Sequence, residues 1–256
     1  MDLGIRNCVA LVTGGARGIG LAEALALADE GVQIAINDID SDGAQAAVET
    51  VRKKGVEAAA FVGDVADEAT VERLITEAMR HFGRLNILVN NAGMPVNPSY
   101  RAEDMPVDAW DNMIRVHLRS TFLWSRAAIP LMRESGYGRI INTSSMNFTG
   151  GGRPGASHYT AAKAAIAGFT RNLAKEVGGM NITANALAPG YVDTDLIAAF
   201  TPDMRDILLR QNPVGRTCKP QEVAALVAYL SSKHAGFING ELICIDGGRR
   251  EFYWDN

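Results

Sequence analysis

Apolar residues along the chain gather into short runs separated by longer amphipathic stretches. "CVALVTGG" is a β-rich run stopped by glycines, and "GIGLAEALALADEG" follows with helical periodicity and a closing Gly31. "VQIAIND" is again strand-like, and "SDGAQAAVETVRKKG" reads as a helix with Ser41 at its N-cap and Gly55 as its stop. The alternation continues through strand "VEAAAFVGD", helix "DEATVERLITEAMRHFG", strand "LNILVNNAG" and a long helical zone from Val107 to Arg133. Strand "GRIINTSS", a helix carrying Tyr159, strand "NITANALAPG", helix "PQEVAALVAYLSS" and strand "ELICIDGG" complete it. The strands are nearly unbroken apolar runs, as expected where helices cover both faces of a sheet. The pattern predicts an α/β fold, a single-domain Rossmann-type doubly wound parallel sheet of about seven strands with helices on both faces.

No repeat, low-complexity linker or domain boundary interrupts residues 1–256, so one domain is expected. Residues 190–219 are the least regular. Pro189, Gly190, Pro202, Pro213 and Gly215 mark them as a loop or lid over a site. With 256 residues, 47% of them hydrophobic, the chain can build one substantial core. The net charge of −4 and the lack of a long basic run argue against nucleic acid as a partner. The three cysteines, Cys8, Cys218 and Cys244, lie far apart with no metal-ligand or redox spacing, so no metal is expected. Their odd number suggests no disulfide framework, which makes a reducing cytoplasm the simpler compartment. No stretch of roughly 20 apolar residues offers a membrane span, and no signal peptide is expected at the N-terminus.

Candidate chemistry begins at "TGGARGIG", between the first strand and the first helix. Gly14, Gly18 and Gly20 permit a tight turn and close backbone approach. The helix N-terminus behind them, at Arg17, Gly18 and Ile19, offers unpaired N–H groups and a positive dipole end suited to a pyrophosphate. The spacing is G-x-x-x-G-x-G, not the usual G-x-G-x-x-G, and glycine turns of this kind also occur without any ligand. Asp38 ends the second strand, where an acid can bond a ribose 2′-hydroxyl and repel a 2′-phosphate. That favours NAD over NADP. Arg17 argues mildly for NADP, and "NDIDSDG" also fits simple turn chemistry.

Tyr159 and Lys163, in "HYTAAKAAIAGF", stand one helical turn apart and project from one face. They are either an ordinary surface pair or a proton donor with the cation that activates it. A free tyrosine titrates near ~10, so a neighbouring ammonium and the positive charge of an oxidised nicotinamide would together bring it toward the working range.

The glycine turn, Asp64 closing the third strand, "NNAG" (Asn90 to Gly93) closing the fourth, Ser144 and Ser145 ending the fifth, Tyr159 with Lys163, and "PG" (Pro189, Gly190) with Thr194 follow one another in order. This ordered set resembles the short-chain dehydrogenase/reductase family over nearly the whole chain. The resemblance implies a dinucleotide-binding catalytic domain that transfers a hydride between NAD(H) and a secondary alcohol or ketone. It implies that Tyr159 exchanges the substrate proton, that Ser145 bonds the substrate oxygen, and that Lys163 holds the nicotinamide ribose and lowers the tyrosine pKa. It further implies that Asp64 and Val65 hold the adenine, that Asn91, Ala92 and Gly93 line the cofactor cleft, and that Pro189, Gly190, Val192 and Thr194 meet the nicotinamide end. Most relatives are dimers or tetramers, so a homo-oligomer is expected. The aromatic tail "EFYWDN" is a candidate contact to a neighbouring subunit.

Two features depart from the family's pattern. Ser145 precedes Tyr159 by 14 positions, one more than the commonest interval, with the extra residue assigned to the "GGG" loop at Gly150 to Gly152. His117 stands where the family usually has an asparagine that supports a proton path to the lysine. It is either a tolerated replacement or a titratable relay, with an expected effect around or below neutrality. Substrate contacts are expected from Asn147, Arg153, His158 and Tyr191, with Phe148, Phe200 and Met204 as apolar walls. That mixture fits a small polar alcohol such as a polyol, sugar or hydroxy acid. The alternatives are an NADP-dependent ketone reductase of the 3-oxoacyl-carrier-protein type, with Arg115, Arg119 and Arg126 as part of a docking patch, or a non-catalytic dinucleotide sensor.

Overall fold

A computed structural model describes residues 1–149, 154–198, 200–210 and 212–248. Seven parallel strands form one sheet in the order β3-β2-β1-β4-β5-β6-β7. They are β1 (Val9–Thr13), β2 (Gln33–Asp38), β3 (Ala58–Val62), β4 (Ile87–Asn90), β5 (Gly138–Thr143), β6 (Ile182–Pro189) and β7 (Leu242–Ile245). The helices between them are α1 (Gly18–Asp29), α2 (Ser41–Arg52), α3 (Glu68–Phe82), α4 (Val107–Ile114), α5 (Ser120–Ser135), α6 (Ser157–Val177), α7 (Asp195–Ala198), α8 (Pro202–Arg210) and α9 (Pro220–Leu230). β1 pairs with both β2 and β4, so the strand order reverses there. Crevices at the carboxyl ends of such strands are where open α/β sheets bind ligands.

Every residue of β1, β5 and β6 is buried. Alternate side chains enter two cores, because successive residues of a strand point to opposite faces. Ala10, Val12, Ile34, Ile36, Ile87 and Val89 face one core, closed by α1, α2 and α9 through Leu27, Val48 and Val227. Leu11, Ala35 and Leu88 face the other, closed by α3, α5 and α6 through Leu74, Trp124 and Leu173. Each fully buried leucine or isoleucine in these layers stabilises the fold by about 1.5–3 kcal/mol. An unbroken apolar strand is therefore what the sheet requires.

Two boundaries differ from the sequence reading. The cap of α2 is Asp40, one residue before Ser41, because its carboxylate accepts from the Gly43 N–H at 3.1 Å. The stretch read as loop-rich contains α7 and α8, and Pro202 opens the latter, a position where its missing N–H costs nothing. The long zone after β4 is continuous, but Arg115–Arg119 between α4 and α5 is a π-helical turn. No helix among the described residues is long and apolar enough to cross a membrane.

Candidate active site

The glycine turn closes tightly against the end of β4. A Cβ on Gly20 would fall 2.3 Å from the Gly14 carbonyl oxygen, and one on Gly14 would fall 2.8 Å from Ala92 Cα. Gly14 and Gly18 also hold φ of 63° and 58°, the region that favours glycine. Asn91 Nδ2 donates to the carbonyls of Thr13 and Gly14, both at 3.1 Å. The Thr13 hydroxyl accepts from the N–H groups of Asn91 and Ala92, both at 3.1 Å. Thr13 is a site-forming residue that the sequence reading passed over. Its signal was a lone hydroxyl at the end of an apolar strand. No side chain caps α1, which leaves its first-turn N–H groups for an anion.

Asp38 lies against this turn. Its Oδ2 accepts from the Ala16 N–H and its Oδ1 from the Asp40 N–H, both at 3.1 Å. Asp40 and Asp42 open α2 beside it, so the rim here is acidic. Arg17 is exposed. Val65 is buried, and Asp64 accepts from the Ala66 N–H at 2.9 Å and from Arg115 Nη1 at 2.7 Å. Burial alone would raise the Asp64 pKa, but the Ala66 N–H and the Arg115 guanidinium together hold it below its ordinary value. The Arg115 contact, across 51 positions of sequence, had no local signal. Thr194 bends back over the turn, its methyl 3.7 Å from where a Gly18 Cβ would stand. Gly190 lies against Asp246, whose Cα would be 2.9 Å from an added Cβ, and Val192 is buried beside it. Pro189, paired with Ile245, ends β6 at the same edge.

Ser145, Tyr159 and Lys163 meet above the end of β5. Tyr159 is hydrogen-bonded to the Ser145 side chain, and Ser145 Oγ also accepts from the Asn147 N–H at 3.2 Å. Lys163 Nζ lies 5.7 Å from the centre of the Tyr159 ring and donates to the Thr143 carbonyl at 2.6 Å. Burial pulls the Lys163 ammonium down to about 7. Burial also raises the Tyr159 phenol. The Ser145 bond opposes that rise and Tyr191 adds to it. Desolvation of the phenolate is thus the largest influence on Tyr159, and the distant Lys163 charge alone does not offset it. Tyr191 faces the pair, with its ring 6.4 Å from that of Phe200.

His117 sits in the π-helical turn with its ring edge-on to Tyr159, centroids 5.3 Å apart. Gly93 leaves it room, since a Cβ there would fall 2.6 Å from His117 Cε1. Nε2 lies 3.2 Å from the Met94 nitrogen and 3.1 Å from the Met94 oxygen, while Nδ1 is buried without a partner. Burial first, then the Lys163 charge, holds its pKa well below the ordinary value. Any titration of His117 therefore falls on the low-pH side of neutrality. His158, beside Tyr159 in sequence, is 2% exposed. Arg153, the Gly150 to Gly152 loop and the tail from Glu251 to Asn256 lie outside the described residues.

A family model described as enoyl-(acyl carrier protein) reductase matches residues 14–250. A dehydrogenase subunit from Thauera aromatica that acts on (2S)-[(R)-hydroxy(phenyl)methyl]succinyl-CoA is 36% identical, covering 98% of this chain and 99% of its own. The 3-oxoacyl-[acyl-carrier-protein] reductase of Pseudomonas aeruginosa is 38% identical, covering 96% of this chain and 98% of its own. A 7α-hydroxysteroid dehydrogenase solved with NADH and 7-oxo glycochenodeoxycholic acid superposes with a TM-score of 0.91 at 30% identity, covering 96% of both chains.

Proposed function

The chain belongs to the short-chain dehydrogenase/reductase family, and from that premise we propose that it is an NAD(H)-linked oxidoreductase of a small polar secondary alcohol or ketone. The observation that carries this reading is the meeting of Ser145, Tyr159 and Lys163 at the sheet edge that also holds the glycine turn and Asp38. The turn and the uncapped start of α1 fit a pyrophosphate, and Asp38 fits ribose hydroxyls. When bound, the dinucleotide supplies the hydride acceptor or donor. Ser145 Oγ holds the substrate oxygen, and the Tyr159 hydroxyl gives or takes the proton there. Lys163, as an ammonium, stabilises the phenolate and holds ribose hydroxyls. Asn147 and Tyr191 border the substrate, and His117 backs Tyr159.

Asp38, held against the glycine turn, supports NAD over NADP, because a 2′-phosphate there would meet its carboxylate, and Asp40 and Asp42 add negative charge at the nearby start of α2. The acyl-carrier reading has support in the name of one relative. The docking patch expected for it is weakened, however, because Arg115 pairs with Asp64 and Arg126 with Glu68 and Glu72, while Arg119 lies 3.9 Å from Glu68. Residues 190–219 act as the lid in this reading. Self-association has support from Val107, Trp110 and Phe122, large apolar side chains exposed on α4 and α5. A cytoplasmic setting has support from Cys8, Cys218 and Cys244, which form no disulfide among the described residues.

The test is a panel of polyols, sugars, hydroxy acids and 3-oxoacyl thioesters with each dinucleotide, followed at the reduced-nicotinamide absorbance. Tyr159→Phe should abolish turnover and leave dinucleotide affinity unchanged, since only the hydroxyl is lost. More than a few per cent residual activity would remove Tyr159 from the proton step.

A further inference from the structure

A cavity of about 370 Å3 opens at the end of the sheet away from Ser145 and Tyr159. Cys8, Asn86, Tyr137 and Asn181 line it, and they immediately precede β1, β4, β5 and β6. Its cations are Arg6, Arg84 and Lys233, and among the described residues no carboxylate lines it. Among the described residues, none of the three forms an ion pair.

A fourth cation backs the cavity. Arg139 is 2% exposed, and its guanidinium lies 4.2 Å from the centre of the Tyr137 ring. Among the described residues it donates to backbone carbonyls alone, those of Gly138 at 2.7 Å, Ser232 at 3.2 Å and Asn181 at 3.4 Å. A buried cation ordinarily has an anion beside it, and here none is supplied among the described residues. Lys233, Arg84 and Arg139 all act electrostatically on the Cys8 thiol, so their charges converge on one wall. The stems of the outer cations lie against glycines. A Cβ on Gly4 would fall 3.2 Å from Lys233 Cδ, and one on Gly31 would fall 3.0 Å from Arg6 Nη1.

A concave wall carrying one sign of charge focuses its field into the cavity, and guanidinium forks match the oxygens of carboxylates and phosphates. The volume is that of a small-molecule site. We propose that this cavity is a binding site for a small, multiply charged oxyanion, held by Arg6, Arg84 and Lys233 and distinct from the dinucleotide cleft. The inference does not depend on the proposed reaction.

The test pairs isothermal titration of the protein with inorganic pyrophosphate and with citrate, and alkylation of Cys8 read by peptide mass mapping. At least one anion should bind and slow alkylation of Cys8 several-fold, leaving Cys218 and Cys244 unaffected. Arg84→Glu and Lys233→Glu, both at exposed positions, should each weaken that binding by about 10- to 100-fold, as loss of a charged hydrogen bond implies. Protection by pyrophosphate alone assigns a phosphoryl ligand, and protection by citrate assigns a carboxylate-bearing one. Pyrophosphate bound only at the glycine turn would leave Cys8 alkylation and both variants unchanged. That result, or no binding of either anion, overturns the proposal.

Discussion

Replacing Glu23 should make the protein more stable at neutral pH, by an amount that depends on pH in one direction only. Glu23 lies on α1, on the same face as Gly20 and Leu27. It is 0% exposed, and neither carboxyl oxygen has a hydrogen-bond partner among the described residues. Burial pushes its pKa from 4.5 up to about 8. The unfolded chain therefore releases this proton from about pH 4.5 upward, while the folded chain keeps it until about 8. Between those values the folded state binds more protons, so stability falls as pH rises. At 1.36 kcal/mol for each pH unit, the loss is about 5 kcal/mol across the whole window and about 3 kcal/mol by pH 7, good to order of magnitude. That is a sizeable part of the 5–15 kcal/mol or so that a folded domain holds.

The assay is denaturant unfolding of the wild type, Glu23→Gln and Glu23→Leu at one protein concentration, at pH 5 and at pH 8. Glu23→Gln keeps the shape and an unpartnered polar head but cannot ionise. It should match the wild type near pH 5 and exceed it by several kcal/mol at pH 8. Glu23→Leu also removes the unpartnered polar group and should gain a further 1–3 kcal/mol or so at both values. Other titrating groups are shared by all three proteins and cancel in the differences. If the gap between wild type and Glu23→Gln is the same at both pH values, Glu23 is not a neutral buried acid, and the reasoning fails.

Asp38→Ala should weaken NAD by about 10- to 100-fold and improve relative use of NADP, as loss of one charged acceptor implies. A wild type that already prefers NADP would transfer that choice to Arg17. Lys163 is the counterpart of Glu23: the unfolded chain holds its proton to 10.5 and the folded chain only to about 7, so stability rises with pH across that window. Lys163→Met should remove that rise, raise the melting temperature at pH 6 and abolish turnover; lower stability at pH 6 would show that the Thr143 bond outweighs desolvation. His117→Asn should stay active, and any inflection it removes from the pH–rate profile should lie well below 6.5, because burial and Lys163 both disfavour the imidazolium. Loss of an inflection at neutrality would contradict the buried position of the ring.

The sheet was legible because parallel strands covered on both faces must be continuously apolar, and "VALVT", "ILVN" and "ITANALAP" are visible as such or nearly so. The asparagines in β5 and β6 do not break the pattern, since their amides are satisfied inside it. Asn142 Nδ2 donates to Thr170 Oγ1 at 2.8 Å, and Asn185 Nδ2 donates to the Ile238 carbonyl at 2.8 Å. The helices of residues 190–219 were hidden by their prolines, one of which starts a helix rather than breaking it. Among site residues, those at strand ends could be placed by counting elements. Those brought in by long-range pairing could not: Arg115 on Asp64, Met94 on His117 and Thr143 on Lys163 are tertiary facts, separated by 51, 23 and 20 positions.

Burial is what reverses the expected electrostatics of the proposed proton machinery. A sequence shows that a tyrosine and a lysine share a helix face, and Coulomb attraction then suggests a stabilised phenolate. The structure adds the cost of removing both from water, which raises the phenol and lowers the ammonium. Both groups are thereby biased toward their neutral forms. The phenolate of the proposed mechanism needs a compensating charge, since Lys163 donates a short hydrogen bond to the Thr143 carbonyl and burial disfavours the His117 imidazolium. A dinucleotide whose ribose hydroxyls satisfy Lys163 and whose oxidised ring is cationic meets that need. On this argument Tyr159 would be activated where a bound dinucleotide engages Lys163 and adds its positive charge.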